Sequence, residues 1–289
     1  MFSGFINFIF LLMFGWGDIS AASNLGNNLI SLKPDATKLE ITSEKSAVLS
    51  ADGRTFLQAN RADEIQPIAS ITKLMTASIF LDNNPGWDTV YEITAADNVE
   101  GGKLNLFLGD RVKVRDLFFT SLVASDNGAT LALVHATGLS EKDFVAKMNS
   151  EALRLGLNNT SFADPVGLSE KNVSTAREVA KMARAAFGRP EIRQAASSRE
   201  YRFTTENGTE KKVESTDYLL FDSADNPFEV LGGKTGFTDR AGYCFVGRFR
   251  NDDGQEVISV VLNSQGKNER FRESKALINW VFSSYNWSR

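Results

Sequence analysis

Apolar positions alternate, cluster at helical spacing and alternate again along the chain, and that order predicts the elements. Ala47-Val48-Leu49 and Phe56-Leu57 flank Asp52-Gly53, a strong hairpin signal. After Gln66-Pro67-Ile68-Ala69 an apolar run continues to Leu81. Pro67 lacks the N–H of a helical residue and disfavours helix before it, which predicts a helix start at about Ser70. Strand-like pieces follow at Val90–Ile93, Leu104–Leu108 and Val112–Val114, with Gly109-Asp110 as a turn. Asp116–Ala124 and Gly128–Thr137 carry apolar residues at helical spacing, interrupted by Ser125-Asp126-Asn127. Glu141–Leu155 is amphipathic with Gly156 placed to stop it, and Thr175-x-x-Glu178 reads as a capping box opening a helix through about Phe187.

Tyr201–Thr205 and Lys211–Glu214 flank Asn207-Gly208, a second hairpin. Strands are predicted at Gly233–Phe237, Tyr243–Arg250 and Val257–Leu262, with a turn at Asn251-Asp252-Asp253-Gly254, before a closing helix from about Glu269 to Ser283. This order predicts one α+β unit, an antiparallel sheet flanked by helices. Its first and last strands share the sheet, and a helical lobe, roughly residues 80–200, is inserted between them. Residues 23–44 are polar and irregular and read as a linker, leaving 45–289 as the folded domain.

The run Phe5–Phe14 is too short, and too soon interrupted by Gly15, Gly17 and Asp18, for a membrane span. Ser20-Ala21-Ala22 offers small residues to a signal peptidase, so residues 1–22 read as a signal peptide, with an uncleaved anchor as the other reading. Either places the remainder outside the cytoplasm, in peripheral contact with a membrane or in none. A net charge of −4 without a Lys/Arg run argues against a nucleic-acid partner. The single cysteine, Cys244, excludes an internal disulfide and reads as a small buried side chain. The single histidine, His135, argues against a histidine metal site and sits in an apolar helical run, where a structural role is the better reading.

Against that background one short segment carries chemistry. Ser70 and Lys73 stand one helical turn apart, which puts an amine beside a hydroxyl. A serine hydroxyl attacks only when a base takes its proton, and a lysine is that base if burial or a second cation lowers its pKa. A second copy, Ser264-Gln265-Gly266-Lys267, lies in a polar loop with no helix to align it. The pair at Ser70 gains weight from two further elements: Ser125-Asp126-Asn127 between two helices, and Lys234-Thr235-Gly236 on a late strand after Gly232-Gly233.

These three elements, with Leu155-Gly156-Leu157, Pro165-x-Gly167-Leu168 and Gly233–Val246, resemble the low-molecular-mass penicillin-binding proteins of the serine D-Ala-D-Ala carboxypeptidase family, peptidase S11. The resemblance covers roughly residues 45–285 and implies the β-lactamase/DD-peptidase fold, no metal and no cofactor. It implies peptidoglycan stem peptides as substrate and covalent inhibition by β-lactams. Ser70 would attack the carbonyl between two D-alanines to form an acyl-enzyme, and Lys73 would take its proton, its pKa held down by the Lys234 charge. Ser125 would relay the proton to the leaving amine, and Asn127 would hold the substrate amide. Lys234 and Thr235 would bind the terminal carboxylate, and Gly236 would leave room for the substrate backbone. The N–H groups of Ser70 and Phe237 would hold the oxyanion.

Departures from the family pattern narrow the reading. The Glu-x-x-x-Asn of class A β-lactamases is missing from Asn158–Asn172, where Glu170 is a lone candidate for activating water. Asp217 stands where many carboxypeptidases of the family have Asn, which would add negative charge near the carboxylate site. The chain carries no β-rich stalk after the Glu269–Ser283 helix, and so resembles most the stalkless branch containing DD-endopeptidases, which cut cross-links between stem peptides. A serine DD-peptidase that removes terminal D-Ala is the leading expectation. The alternatives are a DD-endopeptidase using the same site, and a non-catalytic module that only grips cell-wall peptides.

Overall fold

The computed structural model describes residues 30–39, 41–99, 105–222 and 227–287. The segment expected as a signal peptide lies outside the described residues. At the centre is a five-stranded antiparallel sheet of β1 (Lys45–Ser50), β2 (Phe56–Asn60), β3 (Phe228–Thr238), β4 (Gly242–Asn251) and β5 (Glu256–Ser264). Its order is β3-β4-β5-β1-β2, so the first and last strands do share one sheet, with Val260 opposite Ala47. Period-two alternation splits the strands between two cores. Ala47, Leu49, Val246, Ile258 and Val260 face the larger cluster, while Val48, Phe245, Val257 and Val261 face the smaller one.

Among the described residues seven α-helices clothe this sheet. They are α1 (Lys73–Asp82), α2 (Val114–Val123), α3 (Asn127–Ala136), α4 (Glu141–Arg154), α5 (Ala176–Gly188), α6 (Pro190–Ala196) and α7 (Glu269–Ser284). On the first face α5 lies across β1, β4 and β5, and α1 packs between it and the helices α2, α3 and α4. Leu74, Met75, Ala77, Ile79 and Phe80 of α1 are all buried, which makes this helix apolar on every side, as a helix enclosed in a core must be. On the second face α7 buries Phe271, Leu277, Ile278 and Val281.

Several boundaries differ from the sequence expectation. The predicted helix at Ser70 opens with a 3-10 turn, Ala69–Thr72, and becomes α-helical only at Lys73. Residues 105–108 of the predicted strand Leu104–Leu108 form no strand, and Phe107 and Leu108 face solvent. Thr175 accepts from the Glu178 N–H, but the Glu178 carboxylate turns away to Asn159 and Thr160, so only half of the capping box forms. The described part of the stretch read as a linker runs along α7. Ser31–Leu32 pairs with Tyr285–Asn286, Trp280 Nε1 donates to Thr37 O, and Thr42 bonds Glu273. No helix among the described residues is long and apolar enough to cross a membrane.

Candidate active site

The turn that presents Ser70 is clamped by two glycines. Ala69 has φ of +48°, an uncommon conformation for a residue with a side chain. A Cβ on Gly167, whose φ is +90°, would lie 2.2 Å from Ala69 O and 2.9 Å from Ser70 N. A Cβ on Gly236 would lie 2.8 Å from Ile68 O and 3.3 Å from Ser70 N. Gly236 was expected to make room for substrate, but the space its missing side chain leaves is filled by the Ser70 turn itself. Only glycine lets β3 and the Pro165–Gly167 loop approach that turn from both sides.

Lys73 is fully buried beneath Ser70. Its Nζ lies 3.0 Å from Ser70 Oγ, 2.7 Å from Asn127 Oδ1 and 2.6 Å from Val166 O. Burial pulls the ammonium down to about 7, against the upward pull of Asp126 and Asp164. Desolvation, rather than the Lys234 charge expected from the sequence, is the main cause. The Val166 carbonyl is fixed by Asp164, whose carboxylate accepts the N–H groups of Val166, Gly167, Leu168 and Ser169. Asn172 locks the same loop to the 3-10 turn ahead of α1, donating to Thr72 Oγ1 and Asp164 O.

In Ser125-Asp126-Asn127 the middle residue does the structural work. Asp126 caps α3 by accepting from the Ala129 N–H and also binds both the backbone and side-chain nitrogens of Asn105. Ser125, at φ +59°, and Asn127 thereby face the cleft from either side of that cap.

From the opposite wall Lys234 Nζ donates to Ser125 Oγ at 2.7 Å, joining β3 to the helical lobe. Its pKa is held well below the lysine range, first by burial and then by the charges of Lys73 and Arg270, with Asp217 pulling upward. Thr235 Oγ1 donates to Thr216 Oγ1 at 2.7 Å. Asp217 does not add surface charge to the cleft, contrary to the sequence expectation. It is 1% exposed, its Oδ1 accepts the Leu219 N–H, and its other oxygen lies behind Gly233. Burial pushes this carboxyl up to about 7.

The cleft between the two lobes has a volume of about 760 Å³, and Ser70, Ser125, Asn127, Thr235, Gly236 and Phe237 all line it. Lys73 and Lys234 lie just below, so the structure brings the eight sequence-predicted residues together. The Phe237 side chain turns outward, 48% exposed and stacked on Tyr243. Glu170 pairs with Arg240 at 3.5 Å on the surface, with its side chain 62% exposed. Cys244 is buried, and its thiol is pushed up to about 11. His135 bonds Asp97 at 2.7 Å, a structural contact that ties α3 to residues 94–97. Sequence reasoning missed Arg270, which lines the cleft from α7 and bonds Gly236 O at 3.2 Å. It also gave no role to Asp164 or Val166. Asp164-Pro165-x-Gly167 is a turn signal, but nothing in it announces that a backbone carbonyl will meet Lys73.

Known proteins resemble this chain in sequence and in fold. The family model for D-alanyl-D-alanine carboxypeptidase, peptidase S11, matches residues 32–266. The D-alanyl-D-alanine endopeptidase of Escherichia coli (strain K12) is 33% identical over 85% of this chain and 79% of its own length. The D-alanyl-D-alanine carboxypeptidase DacF of Bacillus subtilis (strain 168) is 30% identical over 83% of this chain and 62% of its own. The crystal structure of the Streptomyces K15 DD-transpeptidase superposes with a TM-score of 0.77 at 28% identity, covering 86% of this chain and 99% of that one. With the matched segment spanning all three chemical elements, the chain belongs to the peptidase S11 family of D-alanyl-D-alanine carboxypeptidases and is a serine peptidase.

Proposed function

We propose that the chain is a serine DD-peptidase of the bacterial cell wall whose nucleophile is Ser70 and whose base is Lys73. One observation carries the assignment: the three partners of the Lys73 amine. Asn127 Oδ1 and Val166 O can only accept, so a neutral amine spends both N–H groups on them. Its lone pair then points at Ser70 Oγ, the one partner able to donate. A pKa of about 7 keeps that neutral form populated at physiological pH.

Attack transfers the Ser70 proton to Lys73 as Oγ bonds to the carbonyl carbon between two D-alanines. The oxyanion is held by the N–H groups of Ser70 and Phe237, typically worth about 3–4 kcal/mol per donor. When the C–N bond breaks, the proton returns to the leaving amine through Ser125, which already accepts from Lys234. Lys234 and Thr235 hold the leaving residue's carboxylate, and that anion favours a charged Lys234. A charged Lys234 in turn favours a neutral Lys73. Asn127 orients the substrate amide, and water then hydrolyses the ester.

Incubation with a labelled penicillin tests this reading. The expected result is one covalent adduct on Ser70, absent in Ser70→Ala; binding of peptidoglycan without any adduct supports the non-catalytic alternative. Cleavage of cross-links is the second reading, favoured by the cleft remaining open beyond Thr235 toward Tyr218 and Lys267. Mass spectrometry of muropeptides separates the two, as loss of one D-Ala or as conversion of dimers to monomers. The apolar run Phe5–Phe14 with Ser20-Ala21-Ala22 supports export to the extracytoplasmic space, where these substrates lie. Residues 45–289 form the catalytic domain in this proposal.

A further inference from the structure

The discarded second Ser-x-x-Lys supplies the observation. Ser264 is buried and its hydroxyl donates to Glu273 Oε2 at 2.7 Å, so it pairs with a carboxylate rather than with Lys267. Lys267 lines the cleft instead, with Nζ 5.0 Å from the centre of the Tyr218 ring. Tyr218 stacks on Phe271 with centroids 5.4 Å apart, and Phe271 carries the Arg270 guanidinium 4.8 Å from its own ring. Rings and cations thus alternate along one wall.

That wall continues from the Lys234–Thr235 corner. Thr235 bonds Thr216, and Tyr218 follows two residues later. Lys212, which also lines the cleft, is held by Glu200 and Glu214. Lys267 forms no ion pair among the described residues, although a cation oriented over an aromatic face is placed to take an anion.

We propose that Tyr218 and Lys267 form a second anion subsite on the leaving-group side, which takes a carboxylate of the second peptide strand in a cross-linked substrate. The inference rests on the reading that Lys234 and Thr235 hold the leaving residue's carboxylate. A terminal D-alanine ends at that corner with a methyl group and reaches no further. In a cross-link the leaving residue carries a long side chain joined to another anionic stem peptide. That strand leaves the cleft past Tyr218, where Lys267 meets its charge. The pair therefore discriminates between substrates without touching the reacting atoms.

The test compares the full chain with Lys267→Ala, Lys267→Glu and Lys267→Arg on two probes, a purified cross-linked muropeptide dimer and a linear pentapeptide. The ratio of kcat/KM for the dimer to that for the pentapeptide falls about twofold to fivefold in Lys267→Ala, as expected for one exposed charge, with the loss in KM. It falls further in Lys267→Glu and returns in Lys267→Arg. Penicillin labelling of each variant separates loss of the subsite from loss of peptidase activity. A labelled enzyme whose ratio is the same in all variants, or a labelled wild type that never cuts the dimer, overturns the subsite alone. A wild type that penicillin does not label removes the peptidase reading and the subsite together.

Discussion

The Lys73 amine sits 3.0 Å from the Ser70 hydroxyl, and its other two partners are atoms that cannot give it a proton. Geometry therefore makes Ser70 the only donor among them when the amine is neutral. Lys73→Arg keeps a cation in place but cannot be deprotonated. It is expected to lower the rate of penicillin acylation by about 10²–10⁴, the usual contribution of a positioned base. Thermal unfolding of the variant checks that the loss is chemical. Near-normal acylation by Lys73→Arg would remove Lys73 from the base role.

The same amine sets the pH dependence. Its pKa is lowered to about 7, and the neutral form is the reactive one, so acylation gains with rising pH through that value. The measurement is kcat/KM for a peptide substrate between pH 5 and 9. A rate that is flat, or that falls across pH 7, contradicts the assignment.

Gly167→Ala tests the clamp on the nucleophile turn. The new methyl would meet Ala69 O at 2.2 Å from a backbone already at φ +90°. A destabilisation on the order of 3 kcal/mol is expected, together with loss of penicillin labelling. Unfolding midpoints and adduct yield are the readouts, and a variant that keeps both would show the clamp to be dispensable.

Asp217 predicts a stability trend of definite sign. Its folded pKa is raised to about 7, above the value near 3.8 for a free carboxyl. Between those values the folded chain holds a proton that the unfolded chain has released, so this group's contribution declines as pH rises from about 4 to 7. Asp217→Asn keeps an acceptor for the Leu219 N–H and removes the titration. The loss of stability between pH 5 and pH 8 is expected to be smaller in the variant by about 1–3 kcal/mol. Urea midpoints at the two pH values decide it, and an equal loss in both proteins contradicts the prediction.

Glu170 lies against Arg240 on the surface, so Glu170→Gln is expected to leave the lifetime of the penicilloyl-enzyme within about twofold of wild type, as for a surface change. A much longer lifetime, followed by mass spectrometry, would restore this residue as the activator of water.

The chemical elements were legible because each is local: Ser70 and Lys73 share a helical turn, and Ser125 and Asn127 flank one capping residue. That the first and last strands share one sheet followed from a hairpin at one end of the chain and a meander at the other. What escaped notice was produced by contacts distant in sequence. The positive φ of Ala69 falls in a turn that Gly167 and Gly236 approach from distant parts of the chain, and no nearest-neighbour propensity encodes that approach. The third partner of Lys73 is a main-chain oxygen, invisible to any side-chain pattern. Asp217 reads as a surface charge until Gly233 is seen to lie over it. Leu104–Leu108 is apolar enough for a strand, yet Phe107 donates its N–H to the Asp110 carboxylate in a turn that leaves two large side chains in water. The short α6, for which the sequence analysis predicts no element, begins on Pro190, a residue the first helical position tolerates.

The pairing of Ser31–Leu32 with Tyr285–Asn286 has a geometric corollary. Helix α7 carries Arg270 at its cleft end, and the paired strands lie about 22 Å further along, at a rise of about 1.5 Å per residue. Whatever is attached ahead of Ser31 or beyond Asn286 therefore departs from a single corner, a helix length behind the reaction centre. A tether to a bead, a fluorophore or a bilayer surface at that corner is therefore held a helix length away from the mouth of the enzyme, the end that must meet a network as large as a wall.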